Sequence, residues 1–128
     1  MTGLREGIRF RDVAFDYGGA PVLDGVDVEV DAGEVVAIVG RTGTGKSTLV
    51  DLVLRFHDPT RGAIEIDGID LRDLERASFL EHIALVTQEP FLFDESLMEN
   101  IRYGRPGATD EEVLAASRAA SALSLIHI

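Results

Sequence analysis

The 128-residue sequence lacks cysteine and tryptophan, and it contains one lysine, Lys46, beside eleven arginines. Without cysteine no disulfide framework can form, which fits a reducing compartment such as the cytosol. Long apolar runs are missing too: the longest, residues 35–39, has five residues, whereas a membrane-spanning helix needs about 20. The opening stretch MTGLREGIRF has no apolar core of a signal peptide. We therefore expect a cytosolic chain without a membrane span of its own.

Positive charge is also scarce. The formal net charge is −11, from 23 acidic and 12 basic residues. A general nucleic-acid-binding surface normally shows clustered lysine and arginine, so this balance argues against a nucleic-acid partner. A local cationic pocket is still compatible with it, because net charge describes the whole chain. The hydrophobic content of 45% is enough for one buried core.

The first half of the chain shows two different apolar patterns. Alternating apolar and polar residues over 7–17 and 26–30 predict half-buried strands, with a turn at YGGAP between them. Residues 35–39 are apolar at every position, which is typical of a central strand covered on both faces. Residues 47–56 then carry apolar side chains at helical spacing.

Shorter elements follow. Ser96 is an expected helix N-cap, and Thr109 with Glu112 matches a capping box. Further strands are predicted at residues 63–66 and 83–86, and helices at 74–81, 96–101 and 110–120. Strands come first and helices and strands then alternate, which predicts an α/β fold with a parallel core sheet and an N-terminal antiparallel β accessory.

The last six residues, LSLIHI at 123–128, differ from the rest of the chain. They can be encoded by the end of a transposon adapter common in sequencing libraries, whereas the preceding chain is rich in Ala, Gly, Arg, Asp and Val, as GC-rich coding gives. Our hypothesis is a partial domain over residues 1–122 followed by a non-native tail. Resequencing the locus from intact genomic DNA tests it; those codons inside a longer natural frame would contradict it.

The motif G-x-x-x-x-G-K-[S/T] is complete at Gly40, Gly45, Lys46 and Ser47. Phosphates need several converging backbone N–H donors, and glycine has no Cβ to block that approach. The predicted helix begins at about Lys46, so its unpaired N–H groups and positive dipole end face the anion. Lysine supplies a compact charge on a flexible stem, whereas the arginine guanidinium is planar and bulkier. That difference accounts for the one lysine.

A phosphate-binding loop is favoured over the alternative, an ordinary glycine-rich turn with a surface lysine. The apolar segment before the motif and the amphipathic helix after it are the context that its mechanism requires. The Ser47 hydroxyl is expected to bind the Mg²⁺ that accompanies the phosphates. We expect the whole loop to contact the nucleotide: Gly40, Arg41, Thr42, Gly43, Thr44, Gly45, Lys46, Ser47 and Thr48.

Three segments resemble the first half of an ABC-type ATP-binding domain of the exporter class: FRDVAFDYGG, the run from VLDGVDVEV through the loop to GIDLRDL, and HIALVTQEPFLFDESLMENIRYG. The resemblance extends over about residues 8–120. It implies a P-loop NTPase fold, ATP and Mg²⁺ as ligands, and a parent ATPase that couples ATP binding and hydrolysis to export. It also implies two partners at the cytoplasmic face of a membrane, a transmembrane domain and a second ATP-binding domain that forms a dimer with this one.

Two residues outside the loop gain roles from the resemblance. Tyr17 matches the aromatic residue that stacks on adenine; taken alone, it would be an ordinary strand-end tyrosine. Gln88 matches the Q-loop glutamine, which contacts Mg²⁺ or the attacking water; taken alone, it would be a solvated loop residue. The resemblance thus implies Lys46 and Gln88 as catalytic residues, and Ser47 and Gln88 as metal ligands.

The segment PFLFDESLMENI resembles the exporter surface where the coupling helix of a transmembrane domain docks. Phe91 and Phe93 are its aromatic pair, close in sequence to Gln88. Such a pair could equally belong to a core, because aromatic residues anchor both interfaces and interiors. His57 and His82 have no ligand spacing, and we expect them at the surface or at helix ends.

The family's LSGGQ signature, its apolar strand ending in Asp-Glu and its switch histidine have no match in this sequence. We therefore expect the chain alone to hold the nucleotide cradle without the catalytic base, and to be inactive. Without the Asp-Glu strand, residues 35–39 should present an unpaired edge and exposed apolar faces. Two alternatives stay open: a soluble ABC-family ATPase without a transport role, and a non-catalytic nucleotide-binding module. A GTPase is disfavoured, because its N-K-x-D motif would need a second lysine.

Overall fold

The computed structural model of this chain describes residues 3–120, so the predicted boundary at residue 122 and the tail after it lie outside the described residues. The chain divides into two compact units, Met1–Leu85 and Val86–Ile128. The phosphate loop belongs to the first unit, and Gln88 belongs to the second. Over residues 3–120, every helix is too short or too polar to cross a membrane.

A four-stranded antiparallel sheet forms the centre of the first unit, in the order β2-β1-β3-β4. Its strands are β1 (Gly7–Phe15), β2 (Leu23–Asp31), β3 (Arg61–Ile66) and β4 (Ile69–Asp70). In the inner strand β1, Phe10 pairs with Val28 on one side and with Ile64 on the other. Toward β2 the register shifts between Phe10 and Val13, as at a β-bulge.

Two helices and a 3₁₀ turn contribute side chains to the core of this unit. Leu52 of α1 (Lys46–Val53) and Phe79 of α2 (Arg76–Leu80) are each 1% exposed. Burying one such side chain stabilises the fold by about 1.5–3 kcal/mol, so the core fixes β2 and α1, the elements on either side of the phosphate loop. The buried apolar cluster comprises Phe10, Val13, Phe15, Leu23, Leu52, Ile64, Ile66, Leu71 and Phe79.

The strands predicted at residues 35–39 and 83–86 are not formed, since neither segment pairs with a strand within residues 3–120. Several of their side chains are almost fully exposed: Val35 by 97%, Val39 by 87% and Val86 by 94%. A central strand needs hydrogen-bonded neighbours, and the described residues give these segments none. The antiparallel sheet is observed, whereas the predicted parallel core sheet is not formed in this part of the chain.

Helices α3 (Leu97–Arg102) and α4 (Asp110–Ala119) belong to the second unit, and both begin at their predicted N-caps. The Ser96 hydroxyl accepts a hydrogen bond from the backbone N–H of the third helical residue, at 3.2 Å. Thr109 and Glu112 form both hydrogen bonds of the predicted capping box. Each cap satisfies N–H groups that the helix itself cannot, which is worth about 1 kcal/mol.

The other secondary-structure predictions are confirmed with small shifts in their bounds. The predicted strands at 7–17, 26–30 and 63–66 correspond to β1, β2 and β3, and the predicted helices correspond to α1 through α4. The two-residue strand β4 is not predicted, because a pairing this short leaves no periodic pattern.

Candidate functional site

Glycine is required at position 45 by both the backbone and the packing. Gly45 is the N-cap of α1 and has φ 92° and ψ 10°, a left-handed conformation. A Cβ at this position would lie 2.8 Å from Leu23 Cδ2 and 3.1 Å from the Val22 carbonyl oxygen. The loop therefore passes against the start of β2 with no room for a side chain.

The loop closes on itself before the helix begins. Thr44 donates to the Arg41 carbonyl oxygen from its backbone N–H at 3.3 Å and from its hydroxyl at 2.6 Å. Gly43, inside this turn, has φ 84°. A Cβ on Gly40 would lie 2.8 Å from Thr44 Oγ1, so a side chain there would displace the Thr44 hydroxyl from its bond to Arg41. Arg41 and Thr42 are exposed.

Lys46 folds back over this loop. Its Nζ donates a hydrogen bond to the Gly40 carbonyl oxygen, which joins the two ends of the motif. An ammonium group carries three N–H donors, so this bond uses one and two others can reach an anion. The charge is thus held over the loop before any ligand arrives.

A cavity of about 240 Å³ opens beside the lysine. It combines the apolar side chains of Leu23, Ile38, Val39 and Leu49 with the backbone and ammonium donors of the loop. Its lining residues are Leu23, Ile38, Val39, Gly40, Thr44, Gly45, Lys46 and Leu49. A larger cavity of about 450 Å³ lies elsewhere in this unit, lined by Arg5, Glu6 and Asp67 among others. Two carboxylates against one guanidinium make that cavity a poor anion site.

The start of α1 completes the cradle. Within the described residues, Gly45 offers no side-chain cap and the first turn of α1 has no acidic residue. The N–H groups of this turn therefore lack a side-chain acceptor, and the positive end of the helix dipole has no neutralising carboxylate in that turn. Ser47 is exposed at the same end. An anion such as a phosphate is the acceptor that this helix end fits.

Tyr17 contacts the same helix. The Tyr17 hydroxyl and Thr48 Oγ1 share a hydrogen bond at 3.1 Å. The tyrosine ring also packs perpendicular to Phe15, at a centroid distance of 4.8 Å, and to His57, at 5.6 Å. The Tyr17 side chain is still 59% exposed, so much of its ring is available to a planar ligand.

The remaining predicted residues lie in the second unit. Gln88 is exposed. The rings of Phe91 and Phe93 pack edge to face at 5.0 Å, and Phe93 lies 4.5 Å from the Tyr103 ring. Phe91 is 77% exposed, so these three rings form an aromatic surface cluster rather than a core.

Asn100 fixes the backbone that carries this aromatic cluster. Its Oδ1 accepts from the Phe93 N–H at 2.7 Å. The two N–H groups of its Nδ2 lie within hydrogen-bond distance of three carbonyl oxygens, those of Phe93 at 3.1 Å, Glu95 at 3.2 Å and Ser96 at 3.0 Å. One amide side chain of α3 thus organises the whole turn before that helix.

A protein-only metal site is not present in the described residues. Across residues 3–120, no group of three or more His, Cys, Asp or Glu side chains is placed to hold a metal ion. Ser47 in the first unit and Gln88 in the second are the two predicted metal ligands. Hydroxyl and amide oxygens suit Mg²⁺ when phosphate oxygens and water complete its coordination.

Two contacts of Tyr17 are not indicated by the sequence. The motif predicts Thr48 only as a member of the loop, whereas its contact with Tyr17 joins residues 31 positions apart. His57 is exposed, as expected, but it also packs against Tyr17 and Phe15. No local sequence pattern reports a contact between residues this distant along the chain.

The left-handed glycine N-cap, the lysine folded over the loop and the uncapped helix start are the features of a P-loop nucleotide-binding protein. Comparison with known proteins then gives the family. A family profile described as ABC transporter matches residues 23–128. The chain belongs to the ABC transporter family and has its P-loop NTPase fold.

Individual relatives show the range within this family. An ATP-dependent lipid A-core flippase of Desulfotalea psychrophila is 45% identical over 127 residues, which cover 99% of this chain and 22% of the flippase. A mitochondrial potassium channel ATP-binding subunit of Xenopus tropicalis is 48% identical over 129 residues, which cover 97% of this chain and 19% of that subunit. A solved structure of a bacterial Atm1-family ABC exporter with ATP bound matches at a TM-score of 0.91 and 39% identity. The match covers 99% of this chain and 22% of the exporter chain. The chain thus spans about a fifth of the length of these relatives.

Proposed function

We propose that this chain is the ATP-binding part of a nucleotide-binding domain of an ABC exporter, whose parent protein couples ATP binding and hydrolysis to transport across a membrane. The observation that carries the proposal is the Lys46 ammonium held over Gly40, next to the uncapped start of α1. Membership of the ABC transporter family and the identity to a flippase and to a solved exporter support the transport role.

ATP binds with its β- and γ-phosphates in the loop. The backbone N–H groups of Gly43 and residues 45–48 and the Lys46 ammonium donate to the phosphate oxygens, and the Lys46–Gly40 bond holds the ammonium over the loop before binding. The adenine stacks on Tyr17, whose ring is largely exposed. By analogy with other base–aromatic contacts, this stacking is worth about 1–3 kcal/mol.

Ser47 would hold Mg²⁺ in this proposal, and the family resemblance implies the same role for Gln88 of the second unit. Ser47 fits because its hydroxyl is exposed next to the loop, where phosphate oxygens can share the ion. When bound, the ion neutralises phosphate charge. Lys46 would stabilise the charge on the γ-phosphate, and for Gln88 the family resemblance implies a contact with the water that attacks the γ-phosphorus as ADP leaves. These are the two catalytic roles that we assign to this chain.

We also propose that residues 35–39 become the central strand of a parallel core sheet once further strands of the parent protein pair with them. Val35 and Val39 are almost fully exposed, and a strand that is apolar on both faces is stable only when both are covered. The predicted strand at residues 83–86 joins the same sheet. The antiparallel β1–β2 region is then the accessory layer.

The aromatic cluster of Phe91, Phe93 and Tyr103 is the proposed docking surface for the coupling helix of a transmembrane domain. Its rings are exposed and in mutual contact, and Asn100 holds their backbone. Exposed aromatic anchors of this kind dominate interface energies. With a second ATP-binding domain as its dimer partner, the domain would work at the cytoplasmic face of the membrane.

Nucleotide titration of the parent protein tests the ATP site. Tyr17→Ala should weaken ATP binding by roughly ten- to a hundredfold, the loss of one stacking contact, and should bring the ATP and GTP affinities closer together. Tyr103→Ala is the matched control, since Tyr103 is the second of two tyrosines and lies in the other unit. Equal effects of the two substitutions would count against the assignment.

The second candidate function is a soluble ABC-family ATPase without a transport role. The potassium channel ATP-binding subunit that is 48% identical to this chain is not described as an exporter, which keeps this alternative open. Phe91→Ser combined with Phe93→Ser in the vesicle-reconstituted parent separates the two. If the parent is an exporter, substrate transport should fall while ATP binding is retained. Unchanged ATP-driven transport would contradict docking at this cluster, and absence of any transport by the unmodified parent would favour the second candidate.

A further inference from the structure

The Tyr17 ring is held at three points. Its hydroxyl bonds to Thr48 Oγ1 at 3.1 Å. Its ring packs perpendicular to Phe15, with an interplanar angle of 88°, and to His57, with an angle of 89°. Two of these contacts are ring edges, whereas the contact to Thr48 is the one directional hydrogen bond of the three. The hydroxyl pair therefore sets the position of the ring's far end.

Thr48 joins this ring to the phosphate loop. It lies in the first turn of α1, two residues after Lys46, and it is 5% exposed. A threonine hydroxyl in a helix often bonds to the carbonyl oxygen four residues earlier, yet here its partner is a tyrosine 31 residues away. Because the Thr48 hydroxyl bonds to Tyr17, it holds the tyrosine in place rather than stabilising α1.

Holding the Tyr17 ring in place lowers the entropy cost of ordering it when a ligand stacks on it. A half-exposed tyrosine without a fixed hydroxyl samples several rotamers, and a stacked ligand must select one of them. The bond to Thr48 makes that selection in advance and ties it to the helix whose start receives the phosphates. The Tyr17 ring and the phosphate loop are then both held in their binding positions before the nucleotide binds.

We propose that Thr48 is a positioning residue for base recognition, whose hydroxyl holds Tyr17 in its stacking orientation and so couples the base subsite to the phosphate loop. The proposal rests on the function given above, ATP bound at the loop with its base on Tyr17. It requires that loss of the hydroxyl pair weaken the binding of ligands that carry a base and leave the binding of a bare phosphate chain unchanged.

Calorimetric titration of the parent protein with ATP and with inorganic tripolyphosphate tests this requirement. Thr48→Val removes the hydroxyl at nearly constant shape and should lower the ratio of ATP affinity to tripolyphosphate affinity about two- to tenfold, the range for one net hydrogen bond. Thr48→Ser keeps a hydroxyl and should restore the ratio. Tyr17→Phe keeps the ring, removes the other partner and should lower the ratio as much.

The double variant of Thr48→Val with Tyr17→Phe should be no worse than either single variant, because the bond can be lost only once. Additive losses, or equal weakening of ATP and tripolyphosphate by Thr48→Val, would overturn the positioning role. If Thr48→Val fails to fold, Tyr17→Phe replaces it, and an unchanged affinity ratio in that variant overturns the role in the same way. The proposed function is judged separately: it survives if both ligands bind the unmodified protein in a Lys46-dependent way, and it falls together with this inference if neither binds.

Discussion

Replacing Lys46 by alanine should remove most of the ATP affinity of the parent protein. The side chain carries the one lysine ammonium group of the sequence and lies folded over the loop, bonded to the Gly40 carbonyl oxygen. Alanine leaves the backbone N–H donors in place but takes away the charge. The substitution therefore isolates the contribution of the ammonium group from that of the backbone nest.

The size of the effect follows from the number of free donors. One of the three N–H groups of Lys46 bonds to Gly40, which leaves two for phosphate oxygens. Each charge-assisted hydrogen bond contributes about 1.5–3 kcal/mol, so the loss is about 3–6 kcal/mol. At 1.4 kcal/mol for each factor of ten, ATP affinity should fall by roughly two to four orders of magnitude.

Equilibrium titration of the parent protein with ATP measures this loss, with two matched comparisons. Lys46→Arg keeps the positive charge but replaces the compact ammonium group by a bulkier, planar guanidinium fork, so it should not restore tight binding. Arg9→Ala removes a cation from an exposed ion pair with Glu29 on the sheet and should leave the affinity unchanged. Wild-type affinity in Lys46→Ala would refute the reasoning, as would equal losses in Lys46→Ala and Arg9→Ala.

Three further predictions concern stability. Gly45→Ala should destabilise the parent protein by about 1–3 kcal/mol in urea unfolding, because it adds a 2.8 Å clash with Leu23 to a left-handed backbone. Gly43→Ala, whose Cβ meets open space, should cost less, and the reverse ranking would contradict the packing described. Backbone N–H groups of Glu6, Gly7 and Arg5 lower the pKa of Asp67 below its ordinary value of 3.8. The stability that this carboxylate contributes is therefore complete above pH 3.8 and is lost as the pH falls through the lowered pKa. Thermal melts should show a difference in melting temperature between wild type and Asp67→Asn that closes only in acid, and a difference that is the same at pH 7 and pH 2 would contradict this expectation. The 128-residue chain alone should aggregate or behave as a molten species in light scattering and dye binding, because residues 35–39 are exposed and unpaired; a soluble monomer with one sharp thermal transition would speak against this.

Local patterns account for the elements that the sequence predicts correctly. The capping box at Thr109 and the N-cap at Ser96 depend on residues within one turn of each other. In β1 the alternation is local: Phe10 is buried between the exposed Arg9 and Arg11. The loop motif likewise reports a local contact, since the Lys46–Gly40 hydrogen bond joins residues six positions apart.

Non-local pairing accounts for the rest. Residues 35–39 have the composition of a central strand, yet a strand exists only where neighbours supply its hydrogen bonds, and composition does not say whether they are present. The order β2-β1-β3-β4 depends on pairings such as Phe10 with Ile64, which leave no local signal. The Tyr17–Thr48 bond leaves none for the same reason.

A crystal structure of the parent protein with a non-hydrolysable ATP analogue and Mg²⁺ tests the central claim most directly. The account predicts phosphate oxygens within hydrogen-bond distance of Lys46 Nζ and of the backbone N–H groups at the start of α1, with the adenine against Tyr17. Triphosphate bound elsewhere on the domain, or a loop closed by its own side chains at saturating nucleotide, would contradict it.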